Sequence, residues 1–175
     1  MELWDAYSKE EERIGVTLIR GEEIPQGLYH LVCEVLVRHT DGSFLCMKRS
    51  VQKPNYGGWY EATAGGSALA GENKWQCIER ELYEETGYQG RIDRIGTPSY
   101  SSPGLSGEQI IPVWMTIDRR QYPEPPESHP ESTESIEVFP LYPDEVTPFL
   151  DAAIARGDGI DTKVLLLYHN GGSGM

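Results

Sequence analysis

Hydrophobic and polar positions change period several times along the chain, and each change predicts an element. Residues 3–19 read as two short strands, Leu3–Tyr7 and Ile14–Ile19, around the polar turn Ser8–Glu12. Tyr29–Arg38 (YHLVCEVLVR) is mostly apolar and rich in β-branched residues, the pattern of a well-buried strand. Thr40-Asp41-Gly42-Ser43 is a hairpin turn, and Phe44–Lys48 (FLCMK) is the returning strand. Gln52–Gly58 is a loop, and Trp59–Ala62 is a short strand entering Gly65-Gly66. From Glu72 to Thr86 the pattern is helical: Trp75, Ile78 and Leu82 share one face, and Gly87 supplies the stop. Ile92–Thr97 and Gln109–Ile117 read as strands joined by the loop Ser99–Gly107. Tyr122–Glu134 is Pro- and Glu-rich without periodicity and reads as a mobile surface loop before the strand Ile136–Leu141. Pro143–Arg156 predicts a helix with Val146, Leu150 and Ile154 inward. Gly157-Asp158-Gly159 breaks it, Asp161–His169 predicts a last, largely buried helix, and the final Gly-rich residues read as a floppy tail. Strands dominate, with one helix in the middle and a pair at the end. That order predicts an α+β fold on a mixed sheet, not a regular βαβ alternation.

Composition narrows the function classes. A chain of 175 residues suffices for one domain with a proper core plus a small N-terminal addition. The net charge of −13 argues against a general binder of long nucleic acid or anionic membranes, because both need a basic surface. It leaves room for a phosphate-containing small molecule, provided a metal cation mediates. No run of residues is long and apolar enough to span a membrane, and the first residues carry no basic and apolar leader, so a cytoplasmic protein is expected. Cys33, Cys46 and Cys77 have no CxxC spacing and read as small buried apolar residues in a reducing compartment.

Chemistry concentrates on the middle helix. Glu81, Glu84 and Glu85 fall at i, i+3 and i+4, on one face, where like charges repel. Such a face is tolerable if a cation sits among the carboxylates, and a hard divalent ion prefers oxygen ligands. A solvated acidic face is the plainer alternative. The spacing overturns it. Gly66, five residues, Glu72, seven residues, then Arg80-Glu81-Leu82-Tyr83-Glu84-Glu85-Thr86-Gly87-Tyr88 resembles the Nudix box, GX5EX7REUXEEXGU. Each fixed position matches; Tyr88 stands where the family prefers an aliphatic residue.

The resemblance implies a Nudix fold, a mixed β-sheet sandwiched between helices (α/β/α), with residues 1–28 as an N-terminal hairpin extension, 29–170 as the Nudix domain and 171–175 as a tail. It implies hydrolysis of nucleoside diphosphates linked to another moiety, with Mg²⁺ or Mn²⁺. Carried over, Glu81, Glu84 and Glu85 are similar to the metal ligands, with Glu85 foremost, and the Gly65 carbonyl to a further ligand. Glu72 and Arg80 resemble the pair that ties loop to helix. Homodimers are common among relatives, and the N-terminal hairpin is a candidate for such contacts by analogy.

Further stretches resemble particular subfamilies. Ser101-Ser102-Pro103-Gly104-Leu105-Ser106-Gly107-Glu108 looks like the SPG-x-x-x-E loop of ADP-ribose pyrophosphatases, with Pro103 at the subfamily's spacing from the box. The segment 157–168, with Asp161-Thr162-Lys163, resembles their closing segment. In that group a glutamate from a loop after the box positions or deprotonates the attacking water; Glu134 is the first candidate here, then Glu131, with Glu127 also in the loop and Glu108 as another option. Tyr100 and Trp114 are candidates for stacking on a nucleobase. The N-terminal third and the stretch KRS…YGGWYEATAGG resemble relatives of isopentenyl diphosphate isomerase. The strand from Trp59 to Ala64 lacks that enzyme's cysteine, and Cys46 lies outside any such motif, so isomerase activity is not expected. A non-catalytic nucleotide-metabolite sensor of the same fold is the rival class; the intact carboxylate set favours an enzyme.

Overall fold

The computed structural model describes residues 1–62, 64–97, 99–100, 109–129 and 136–165. Its strands are β1 (Leu3–Tyr7), β2 (Arg13–Ile19), β3 (Val32–His39), β4 (Phe44–Lys48), β5 (Tyr60–Ala62), β6 (Ala64–Ser67), β7 (Arg91–Ile95), β8 (Ser99–Tyr100), β9 (Gln109–Ile110), β10 (Pro112–Ile117) and β11 (Glu137–Leu141). Its helices are α1 (Lys74–Thr86) and α2 (Pro143–Arg156). Residues 162–165 are also helical; the remainder of the predicted last helix and the tail lie outside the described residues.

Among the described residues one mixed sheet runs in the order β11-β4-β3-β10-β7, with β5 on β4 and β6 on β3. β10 lies parallel to β3 and antiparallel to β7. Alternation along β3 sends Cys33, Val35 and Val37 to a core shared with Ile78 and Leu82 of α1. Leu36 faces the other way, into a core with Val146 and Leu150 of α2. The sheet is therefore sandwiched between helices, the α/β/α layering expected. β1 and β2 form a separate antiparallel hairpin with its own small core of Trp4, Ala6 and Leu18.

The sheet divides where β3 and β4 part. These strands pair at Arg38↔Phe44 beside their turn and then splay. β5 continues the ladder from β4 and β6 the ladder from β3, so one run of chain fills the widening gap. Farther out, residues 159–161 take over the free edge of Tyr60: Tyr60 N donates to Gly159 O at 2.9 Å and Asp161 N to Tyr60 O at 2.8 Å. A gap of this kind lets side chains from several strands converge on one spot.

Three expectations need correction. The middle helix begins at Lys74, because the Asn73 side chain accepts the Trp75 and Gln76 N–H groups and stops the helix extending back to Glu72. On α2, Ala153 faces the core and Ile154 is 62% exposed. At about 100° per residue, position 153 returns to within about 20° of Val146, whereas 154 lies about 80° away. The acidic loop is held against α1 over its described part: His129 N donates to Glu84 O at 2.7 Å, and the His129 ring stacks on Tyr83. Gly87 permits this approach. It has φ +71°, and a Cβ there would stand 2.3 Å from Glu127 O.

Candidate active site

The loop from β6 to α1 is shaped by one arginine. Arg80 Nε donates to Glu72 Oε1 at 2.8 Å and Nη2 to Glu72 Oε2 at 3.0 Å. Nη2 also reaches Ser67 O at 3.0 Å. Nη1 bridges Glu81 Oε1 at 2.9 Å and Glu84 Oε2 at 3.0 Å. Glu72 in turn accepts the Leu69 N–H at 2.9 Å, so loop and helix are held as one piece. The fork geometry suits guanidinium better than an ammonium. The bonds to Glu72 raise the Arg80 pKa further, against the opposing effect of burial. Burial pushes Glu72 upward, but Arg80 and the Leu69 N–H hold it below the ordinary carboxylate value.

The three helix carboxylates sit in different surroundings. Glu81 is buried and lies on the Gly66 backbone, where a Cβ would stand 2.2 Å from Glu81 Oε1. A side chain at position 66 would displace the Glu81 carboxylate from its place beside Arg80. Burial raises the Glu81 pKa, with Arg80 opposing. Glu84 is partly exposed and paired with Arg80. Glu85 lacks the arginine; its Oε2 accepts the Gly65 N–H at 3.1 Å. Burial, then the charges of Glu81, Glu61 and Glu34, push Glu85 up to about 8, with only the Gly65 N–H among the leading causes acting the other way. Arg80 thus bonds two of the glutamates, Glu81 and Glu84, and does not bond the third.

Glu85 faces the region where β3 and β4 splay. An open cleft of about 120 Å³ there is lined by Glu34, Glu61, Gly65 and Gly66 together with Arg49 and Lys163. Lys163 Nζ lies 3.2 Å from Glu34 Oε1 and 2.8 Å from Asp161 Oδ2. Arg49 Nη1 lies 3.5 Å from Glu61 Oε1. Burial drives Glu34 up to about 7 against the pull of Lys163, and burial also raises Glu61 against Arg49. Anionic and cationic side chains thus share one cleft in a strongly acidic chain.

The donor chemistry fits a hard divalent cation. Glu81, Glu61 and Glu34 lie near enough to Glu85 to add to the upward push of burial, and Gly65 and Gly66 border the same cleft. As the side chains stand, no group of three or more His, Cys, Asp or Glu among the described residues converges closely enough to hold an ion. Glu81 and Glu84 each turn one carboxylate oxygen toward Arg80.

Other predicted positions fall elsewhere. Tyr100 is on β8 and 55% exposed. Trp114 packs toward the α2 core with the Arg94 guanidinium 3.7 Å over its ring, so its face is already covered. Glu127 sits at the C-terminal end of α1 beside Gly87. Pro103, Glu108, Glu131 and Glu134 lie outside the described residues. Cys46 is buried, bonded to Glu61 O at 3.6 Å and pushed up to about 12 by burial, an inert thiol. Cys33 and Cys77 are likewise buried and free. Sequence reasoning passed over Glu34, Glu61 and Arg49. The available signal was a lone charge inside a strand otherwise apolar, at Glu34 in VCEVLV and Glu61 in WYEA.

Comparison with known proteins shows the family and the fold. The NUDIX domain model matches residues 28–156. The uncharacterized Nudix hydrolase lmo0368 of Listeria monocytogenes is 40% identical over 97 residues, 55% of this chain and 56% of that protein. The uncharacterized Nudix hydrolase PA4841 of Pseudomonas aeruginosa is 30% identical over 100 residues, 57% of this chain and 59% of that protein. The chain thus spans little more than half the length of these relatives. The crystal structure of DR0079 from Deinococcus radiodurans superposes with a TM-score of 0.62, covering 98% of this chain and 100% of that one. At 19% identity that likeness shows the fold. No helix among the described residues is long and apolar enough to cross a membrane.

Proposed function

The chain belongs to the Nudix family, and from that premise we propose that it hydrolyses the pyrophosphate linkage of a nucleoside diphosphate derivative with Mg²⁺ or Mn²⁺. Glu81, Glu84, Glu85 and the Gly65 carbonyl are the proposed ligands. A bound divalent ion supplies Lewis acidity at a phosphoryl oxygen and a water of lowered pKa. The observation that carries the reading is Glu85: a half-buried carboxylate set beside other carboxylates and without the arginine its neighbours use. A fold gains nothing from that arrangement by itself.

The chain's own residues do the rest. Arg80 holds Glu72, Glu81 and Glu84 in register with the glycine loop. Lys163 and Arg49 line the cleft and offer positive charge to a polyanion. ADP-ribose or a nucleotide sugar is the proposed substrate type, on the strength of the Ser101–Glu108 stretch and of Asp161-x-Lys163, whose lysine enters the cleft. Glu134 remains the proposed partner of the attacking water, with Pro103, Glu108 and Tyr100 on the substrate side.

The test is product release from ADP-ribose and a panel of nucleotide sugars with Mg²⁺ or Mn²⁺. AMP and ribose 5-phosphate are expected from ADP-ribose. Glu85→Gln should retain its circular dichroism spectrum and lose on the order of 10³-fold or more in turnover. Near-normal turnover in that variant would remove Glu85 from its role. Tight binding by the wild type without any product would make the protein a sensor.

A further inference from the structure

The wall of the same cleft carries an aromatic pair that the hydrolytic reading does not use. Arg49 N donates to Trp59 O at 2.9 Å, which extends the β4–β5 ladder one step beyond Lys48↔Tyr60. Register partners share a face, so Met47, Glu61, Arg49 and Trp59 project together, and the first three line the cleft. Tyr60, out of phase, points into the α2 core. Trp59 therefore stands about 7 Å along the strand from Glu61, on the cleft side.

The loop before Trp59 presents a second ring. It is closed by Lys53 N to Ser50 O at 3.1 Å, Gly58 N to Arg49 O at 3.0 Å and Trp59 N to Tyr56 O at 3.2 Å. Tyr56 has φ +57°, a left-handed conformation that bulky residues rarely adopt. Its ring lies 4.6 Å from that of Trp59 and the residue is 64% exposed. The indole is backed by the Gly159 backbone, where a Cβ would come within 2.1 Å of the ring carbons. Arg49 Nε donates to Asn55 O at 3.1 Å, which ties the guanidinium to the same loop. An exposed tyrosine is thus held in an unfavourable backbone conformation, against a tryptophan and one residue from the carbonyl that binds the Arg49 guanidinium. Such a platform suits a planar ring joined to a phosphate.

We propose that Tyr56, backed by Trp59, stacks the nucleobase of the substrate while Arg49 takes the phosphate nearest its ribose. This rests on the preceding reading that a nucleotide occupies the cleft, and it makes the Gln52–Gly58 loop the part that selects nucleotides over other diphosphates.

Calorimetric titration with AMP and with ribose 5-phosphate tests it, using the wild type, Tyr56→Gly and Tyr56→Phe in Mg²⁺. Glycine accepts φ +57° without strain, so Tyr56→Gly removes the ring and leaves the loop able to fold. Tyr56→Gly should bind AMP about 5- to 100-fold more weakly than the wild type. Tyr56→Phe should restore the affinity, and ribose 5-phosphate should bind the two variants alike. AMP should also quench tryptophan emission in the wild type. Equal AMP affinity in Tyr56→Gly and wild type overturns the stacking role, as does equal weakening for AMP and ribose 5-phosphate. A wild type that binds AMP through Tyr56 yet releases no product from ADP-ribose or any nucleotide sugar of the panel overturns hydrolysis and supports the stacking role.

Discussion

Helices α1 and α2 are built alike and used differently. They have 13 and 14 residues and end at left-handed glycines, Gly87 and Gly157. In each, a side chain three residues into the helix accepts the N-cap N–H: Gln76 for Asn73 and Glu145 for Tyr142, both at 2.9 Å. α2 buries Val146, Leu150 and Ala153 and nothing charged. α1 buries Cys77, Ile78 and Leu82, but also Glu81, and it holds Arg80, Glu84 and Glu85 half-buried beside them. One helix spends its inner face on packing. The other gives part of its face to charges that cost stability to desolvate. Signals that make a helix and signals that make a site are thus separable on the same scaffold.

Leu150→Ala gives the largest expected stability change. It should cost about 2–5 kcal/mol by denaturant titration while turnover per folded molecule stays within about twofold. A large fall in turnover at full folding would show that α2 also shapes the cleft. Arg80→Met tests the other helix. It leaves Glu72, Glu81 and Glu84 without their common partner and should cost about 3 kcal/mol or somewhat more, with turnover falling as well. A loss under about 1 kcal/mol would mean that water already neutralises those carboxylates.

The smallest effect is expected at a surface pair. Burial opposes it, but bonds from Ser43 and Arg119 hold the Asp41 carboxyl down to about 2. A carboxylate with a depressed folded pKa stabilises above its unfolded value and loses that contribution as pH falls through the folded one. Asp41→Asn should therefore be less stable than the wild type near pH 7, and the gap should close between about pH 4 and pH 2. The carboxylate is partly solvated, so the gap should be under about 1 kcal/mol. Melting curves across that pH range check it; a gap that widens toward pH 2 would reverse the assignment.

Local pattern carried most of the architecture. The Thr40–Ser43 turn, the strand Phe44–Lys48 and the helix Pro143–Arg156 stand where alternation and turn residues predict them. Errors arose where a neighbour decides. Ile154 is outside because Ala153 completes the face toward the sheet. The loop before His129 rests on α1 because Gly87 leaves room for the Glu127 carbonyl. Trp114, aromatic and in a strand, is covered by Arg94, while the aromatic pair beside the cleft joins Tyr56 of the Gln52–Gly58 loop to Trp59 at the strand that follows, neither of which the sequence reading gave any chemistry.

The sequence by itself determined the order of elements and the spacing that sets Gly66, Glu72, Arg80 and the three glutamates at a glycine loop and one helix. Both depend on periods of a few residues, which any window of the chain displays. The one-turn spacing already pairs Arg80 with Glu84; tertiary structure decided that Arg80 also holds Glu81 and Glu72 and leaves Glu85 without that partner. It also decided that Glu34, Glu61, Arg49 and Lys163, far apart in the chain, meet where β3 and β4 splay. The reason is physical: the charge balance of a buried cleft is a sum over whatever the fold brings within a few ångströms, and no local pattern contains that sum.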